Sequence, residues 1–268
     1  MYQRTSGFTP YMQKYLIPII GCLTIALASL SWSANQDTEN VPEVSQQVIG
    51  GVNAAIHRNP WMAALVFDDP TDFTRQFCGG TAIDRYWVLT AAHCVDESRN
   101  LKDFQFVFGT SDLENNNTAY VAYPSLIVLH PDYINLFNRE NDIALVQLRE
   151  PLPESVEILP LGGSPELETP GLNVRVLGWG RTTSDPIFPE DTNLLQEGEV
   201  NLVSNDFANQ EAYYDGRVTD SMIVAGKLDP YVSTFRGDSG GPSVIRRFLV
   251  GEIVRHQIAL TFLEEVGV

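Results

Sequence analysis

The chain has 268 residues, 44% of them hydrophobic and 19% charged, and a formal net charge of −17 at pH 7. That length is enough for one or two packed cores. The charge argues against a polyanionic partner such as nucleic acid and speaks mainly to solubility.

In chain order, residues 1–14 are polar and include Arg4 and Lys14, Tyr15 to Leu30 is almost wholly apolar, and small residues follow around Ser31-Trp32-Ser33-Ala34. This is the pattern of a secretory signal peptide over residues 1–33, cut near Ser33 or Ala34. A retained membrane anchor and a lipid-modified Cys22 are the alternatives, and the apolar run continuing past Cys22 speaks against the lipid. Residues 34–47 are polar and acidic and read as a propeptide with little tendency to fold. Beyond them, short apolar runs alternate with Gly, Pro, Asn and Asp turns: Trp61–Phe67, Phe104–Gly109, Ile143–Leu148 and Asn173–Leu177. No long helical period and no internal repeat interrupts them, so the predicted fold is all-β. Pro151 to Gly163, rich in Pro and Glu, reads as a link between two halves. Asn116-Asn117-Thr118 is a glycosylation sequon. No metal-ligand spacing and no phosphate loop is present, so neither a cofactor nor a metal is expected.

Three segments carry chemistry. Gly237-Asp238-Ser239-Gly240-Gly241-Pro242 sets a serine on a tight glycine-rich turn, where small neighbours leave backbone N–H groups free to face a ligand. A serine hydroxyl is a weak nucleophile at neutral pH and needs a base to take its proton. Histidine suits that role, since an imidazole ordinarily titrates near pH ~6.5. Thr90-Ala91-Ala92-His93-Cys94 supplies one. The imidazole in turn needs a carboxylate to fix its tautomer, and Asn141-Asp142-Ile143-Ala144-Leu145 supplies that. The other histidines, His57, His130 and His256, sit in no catalytic motif and read as surface or core residues.

With the order His93, Asp142, Ser239, the chain resembles the trypsin/chymotrypsin family of serine endopeptidases from about Val48 to Gly251. Cys78-Gly79-Gly80-Thr81, Tyr86-Trp87-Val88-Leu89, His130-Pro131-Asp132-Tyr133 and Gly178-Trp179-Gly180 each look like their counterparts there. The resemblance implies two antiparallel Greek-key β-barrels, over residues 48–160 and 161–268. It implies a secreted enzyme, extracellular or periplasmic, that hydrolyses peptide bonds through an acyl-enzyme. Ser239 would be the nucleophile, His93 the proton shuttle and Asp142 its orienting carboxylate. The Gly237 and Ser239 N–H groups would form the oxyanion hole. Val48-Ile49-Gly50-Gly51 resembles the family's mature N-terminus, so cleavage before Val48 would free an amine to pair with Asp238 and switch on a zymogen. The plainer alternative is that Val48 simply begins a strand. Gln47 stands where many relatives carry a basic residue, so self-activation by a trypsin-like cut is not expected.

Of three cysteines, Cys78 and Cys94 match the family's bridge beside the catalytic histidine; two free buried thiols are the alternative. Other bridges are missing. Ala208 and Val224 stand where one pair is usual, with apolar packing expected in its place, and Phe235 and Ile245 stand at further cysteine sites. Ser233 falls at the base of the primary specificity pocket, where a missing charge disfavours Lys or Arg. From Glu252 onward the family pattern is lost: Arg255 and His256 replace an aromatic and a glycine. The second barrel is therefore expected to be incomplete, lacking its last strand and C-terminal helix, with exposed strand edges. The tail is either unrelated sequence after a truncation or frame shift, or a new way of rebuilding the wall. The expected partners are protein or peptide substrates and an activating protease, with no stable membrane association after signal removal. The competing function is a catalytically impaired relative that binds a protein, and the third possibility is a non-functional truncated product.

Overall fold

The computed structural model describes residues 51–69, 74–117, 119–134, 140–182, 192–228, 231–232, 234, 236–254 and 257–259. The signal, propeptide, Val48 and Ser233 readings therefore lie outside the described residues, as do Arg255, His256 and the residues after Ala259. Strands dominate. β1 (Val52–Asn53) is followed by β2 (Met62–Phe67), β3 (Gln76–Ala82), β4 (Trp87–Thr90), a single helical turn α1 (Ala92–Val95), β5 (Phe104–Phe108), β6 (Tyr120–Ala122), β7 (Pro124–Leu129) and β8 (Ala144–Leu148). The second half holds β9 (Asn173–Gly178), β10 (Gln196–Val203), α2 (Asn205–Ala208), β11 (Met222–Leu228), β12 (Tyr231–Val232), β13 (Pro242–Ile245), β14 (Phe248–Val254) and β15 (Gln257–Ala259).

These strands form two antiparallel sheets within one unit of the chain, Glu43–Val268. The first runs β6-β5-β2-β3-β4-β8-β7. β2 reads as a continuous apolar run because both its faces are covered: Met62 to Val66 are fully buried, and Phe104, Phe106 and Phe108 of the neighbouring β5 fill the interior. The second runs β1-β10-β9-β13-β14-β15-β11-β12, and an additional β10–β11 pairing closes six of these strands into a ring. Along β10 burial alternates residue by residue, which sends Val200 and Leu202 into a core with Val174, Val176, Ile223, Val250 and Ile253. The segment expected as a link is anchored rather than free. Leu152, Val156 and Leu159 are buried, and the Arg85 guanidinium donates to the Pro153 and Val156 carbonyls.

Two expectations about the second sheet meet particular residues. Ala208 and Val224, where a bridge is usual, sit in one apolar cluster with Val218 and Met222, so hydrophobic contact does the joining. The strand edges expected to be exposed beyond Gly251 are paired. Ile258 of β15 lies opposite Ile253 of β14 on one side and Ile223 of β11 on the other. That pairing is what a rebuilt edge requires, because successive residues of an antiparallel strand turn their backbone groups to one neighbour and then the other.

Candidate active site

The β4–β8 register brings the first two candidate residues together. Thr90 lies opposite Ala144, so the chain leaving β4 toward His93 runs beside the chain entering β8 from Asp142. Asn141 adopts a positive φ of 53°, a conformation asparagine tolerates, and turns the chain into that strand. Asp142 is fully buried, and its two oxygens divide the work. Oδ1 accepts the His93 backbone N–H at 2.7 Å, and Oδ2 lies 2.7 Å from His93 Nδ1. A carboxylate only accepts, so Nδ1 donates and the neutral ring keeps Nε2 free as an acceptor. The imidazole side chain is 15% exposed, whereas the carboxylate behind it is fully buried.

The serine turn belongs to the second sheet and docks on the first. The Gly79 N–H of β3 donates to the Ser239 carbonyl at 2.7 Å, while Gly240 N–H donates to the Ile253 carbonyl of β14 at 2.8 Å. Gly237 and Gly240 have φ of 101° and 79°, the left-handed region that side chains avoid, which is why the turn is written with glycines. The Cys78–Cys94 disulfide forms as expected, across a separation of 16 residues. The Cys94 Sγ is 3.8 Å from His93 Nε2 and 3.7 Å from the Ser239 carbonyl oxygen, so one sulfur touches both candidate residues. The two cysteine sulfurs and a His93 ring nitrogen lie within 4.8 Å of one another. With both sulfurs spent in the bridge, this group is no thiolate metal site.

Asp238 is 1% exposed, and its Oδ1 accepts the Gly180 N–H at 2.8 Å. A Cβ on Gly180 would fall against that carboxyl group, so the Gly178-Trp179-Gly180 motif is spelled by the room Asp238 needs. Around it, three consecutive peptide planes are held by their carbonyls. Arg236 O accepts from Arg181 N–H at 2.9 Å, Gly237 O from the Gln76 side-chain amide at 2.8 Å, and Asp238 O from Gly241 N–H at 2.9 Å. In a trans peptide the N–H points opposite to the C=O. The first and third holds therefore turn the Gly237 and Ser239 N–H groups the other way, free of those partners. Gln76 was not singled out by sequence. Its partner is 161 residues away, and no local pattern marks it.

Similarity to known proteins agrees with this geometry. Residues 48–254 match the trypsin family model. Over 209 residues the chain is 34% identical to the mouse (Mus musculus) protein "Transmembrane protease serine 11C", covering 74% of this chain and 44% of that relative. The chain thus spans under half the length of the curated relative it matches. Among the described residues no helix is long and apolar enough to cross a membrane. A match over most of the chain, on the segments that carry His93, Asp142 and the Ser239 turn, makes this protein a member of the trypsin family.

Proposed function

We propose that the protein is a secreted serine endopeptidase, made as a zymogen and activated by cleavage before Val48. Ser239 attacks the peptide carbonyl as His93 Nε2 takes the hydroxyl proton. The tetrahedral oxyanion is stabilised by the Gly237 and Ser239 N–H groups. The amine leaves with the proton from His93, and water, activated by the same imidazole, hydrolyses the acyl-enzyme. Asp142 holds the ring in the tautomer that leaves Nε2 basic. The observation that carries this reading is the paired hold of a buried carboxylate on His93, beside a serine turn docked onto β3.

Activation fits the burial of Asp238. A carboxylate this deep in the protein is costly unless a cation matches it, and the α-amine of a new N-terminus at Val48 has the right charge. Ser233, which the family resemblance assigns to the base of the primary pocket, carries no charge, so the preferred residue before the cleaved bond is neutral.

The test is a fluorophosphonate probe on the chain cut before Val48, alongside a variant with the Gln47–Val48 bond made uncleavable. Labelling and peptide hydrolysis are expected in the cut chain only, and both should vanish in Ser239→Ala, with hydrolysis down about 10⁴-fold or more. A cut chain that melts cooperatively yet never labels would point to the binding module. Full activity of the uncleavable chain would remove the zymogen step.

A further inference from the structure

We infer that Gln76 is a positioning residue for the oxyanion hole. The inference rests on the reading of Ser239 as nucleophile with the Gly237 and Ser239 N–H groups as oxyanion donors. Those donors belong to the peptides on either side of the Gly237–Asp238 plane. The outer two planes are held by main-chain donors, Arg181 N–H and Gly241 N–H. The plane between them is held by a side chain: Gln76 Nε2 donates to the Gly237 carbonyl at 2.8 Å.

Three features make this a built contact. Gln76 spends its second amide hydrogen on the Cys78 carbonyl, also at 2.8 Å, so the amide bridges β3 and the serine turn with both of its hydrogens used. The β2–β3 ladder slips by one residue here, with Leu65 opposite Cys78 but Val66 opposite Gln76. A bulge of this kind re-aims a side chain beside a functional site. Gly237 itself is packed between the Gly180 backbone and Gln76, and a Cβ there would lie 2.9 Å from Gly180 Cα and 3.1 Å from Gln76 Oε1.

The physical consequence concerns glycine. Gly237 has no Cβ to restrict it, and its φ of 101° is one of several conformations open to it. Without a donor on its carbonyl, the Gly237–Asp238 plane can rotate. Rotation changes the angle between the two flanking N–H groups, which must converge on one oxygen. An oxyanion hole accelerates by having its donors aimed before charge develops, so a loose central plane costs transition-state binding and leaves ground-state binding intact.

The experiment uses the full chain cut before Val48, with Gln76→Met (similar length, no donor) and Gln76→Lys (similar reach, hydrogens for both carbonyls). The readouts are kcat and KM on a peptide substrate and the Ki of a peptide aldehyde, which forms a tetrahedral adduct. Gln76→Met is expected to lose about 10- to 100-fold in kcat, with KM little changed and aldehyde affinity reduced in parallel, somewhat less than deleting a donor outright. Gln76→Lys is expected to recover most of that loss. Should Gln76→Met lack a cooperative melt, Gln76→Glu serves, since it keeps the shape and presents acceptors to both carbonyls; the same kcat loss is expected. Wild-type kcat and aldehyde affinity in the donor-free variants would overturn the role, as would a change confined to KM. A wild-type chain that never labels at Ser239 would overturn the underlying reading and this role with it, and is told apart by the fluorophosphonate signal alone.

Discussion

Asp142 grips His93 at the backbone N–H and at Nδ1, with one oxygen for each. The variant Asp142→Asn keeps the shape of that grip and changes its sense. With the amide oxygen still accepting the backbone N–H, an NH₂ group faces Nδ1 and forces the ring's proton onto Nε2. The ring can then no longer accept the Ser239 proton, so kcat should fall about 10⁴-fold while the melt stays cooperative. Single-turnover kinetics beside a thermal melt check both halves, and retention of more than a tenth of the wild-type rate would reject the tautomer argument. The candidate residues His93, Asp142 and Ser239 were legible in the sequence because each sits in a short motif whose neighbours serve it. The Gly237 and Gly240 turn is spelled by backbone conformation and Gly180 by the carboxylate it faces. Gln76 was not legible, because its work is defined by a carbonyl on a distant turn.

At the scale of elements, the two sheets are strapped together by a short exchange outside their main ladders. Leu113 N–H donates to the Asn193 carbonyl at 2.8 Å, and Leu195 N–H to the Ser111 carbonyl at 2.6 Å, around an isolated bridge between Asp112 and Leu194. The Asp112 carboxylate folds that turn, taking the Asn115 side-chain amide at 2.8 Å and the Glu114 and Asn115 N–H groups at 2.9 and 3.1 Å. The Asn115 side-chain bond first, with the two backbone bonds, holds the Asp112 carboxyl below the ordinary carboxylate range against a smaller opposing effect of burial. Stabilisation from a depressed carboxyl is fully present above its unfolded value and is lost as pH falls through the folded one. The Leu113 and Leu195 amides should therefore keep their hydrogen-exchange protection at pH ~5 and lose it in strong acid, below the ordinary carboxylate value near pH ~3.9. Asp112→Ala should already lack about tenfold of that protection at pH ~5, and equal protection in variant and wild type would dismiss the turn as the strap's support. The apolar runs at Trp61–Phe67 and Phe104–Gly109 foretold strands, since burial on both faces leaves little else in the sequence. The strap was not foretold, because its donors and acceptors are main-chain groups with no side-chain signature.

At the scale of the whole molecule, β15 is the strand that closes the second sheet. The match to the family model ends at Val254, just before β15, and the sequence that follows carries no family motif. Its place is set by one neighbour in sequence and one remote from it: β15 folds back on β14, pairs on its other side with β11, and completes the ring β10-β9-β13-β14-β15-β11. This closure bears on the site, since the Ile253 carbonyl of β14 accepts from Gly240 N–H and the Ile253 N–H donates to the Gly241 carbonyl. A β14 strand with an open outer edge would hold the serine turn less firmly. Ile258→Pro tests this directly. Proline removes a ladder donor and is tolerated only at sheet edges, and Ile258 has neighbours on both sides, Ile253 and Ile223. The variant is expected to lower Tm by about 5–10 °C, the shift that roughly 2–3 kcal/mol produces in a domain of this size. It should do so through the second sheet, separating one melting transition into two, while the disulfide-tied first sheet keeps its own midpoint. Activity should fall with the first transition, because the serine turn hangs from β14. A single unshifted melt with full activity would mean that β15 contributes nothing to the fold, and that the ring is held by the other strands alone.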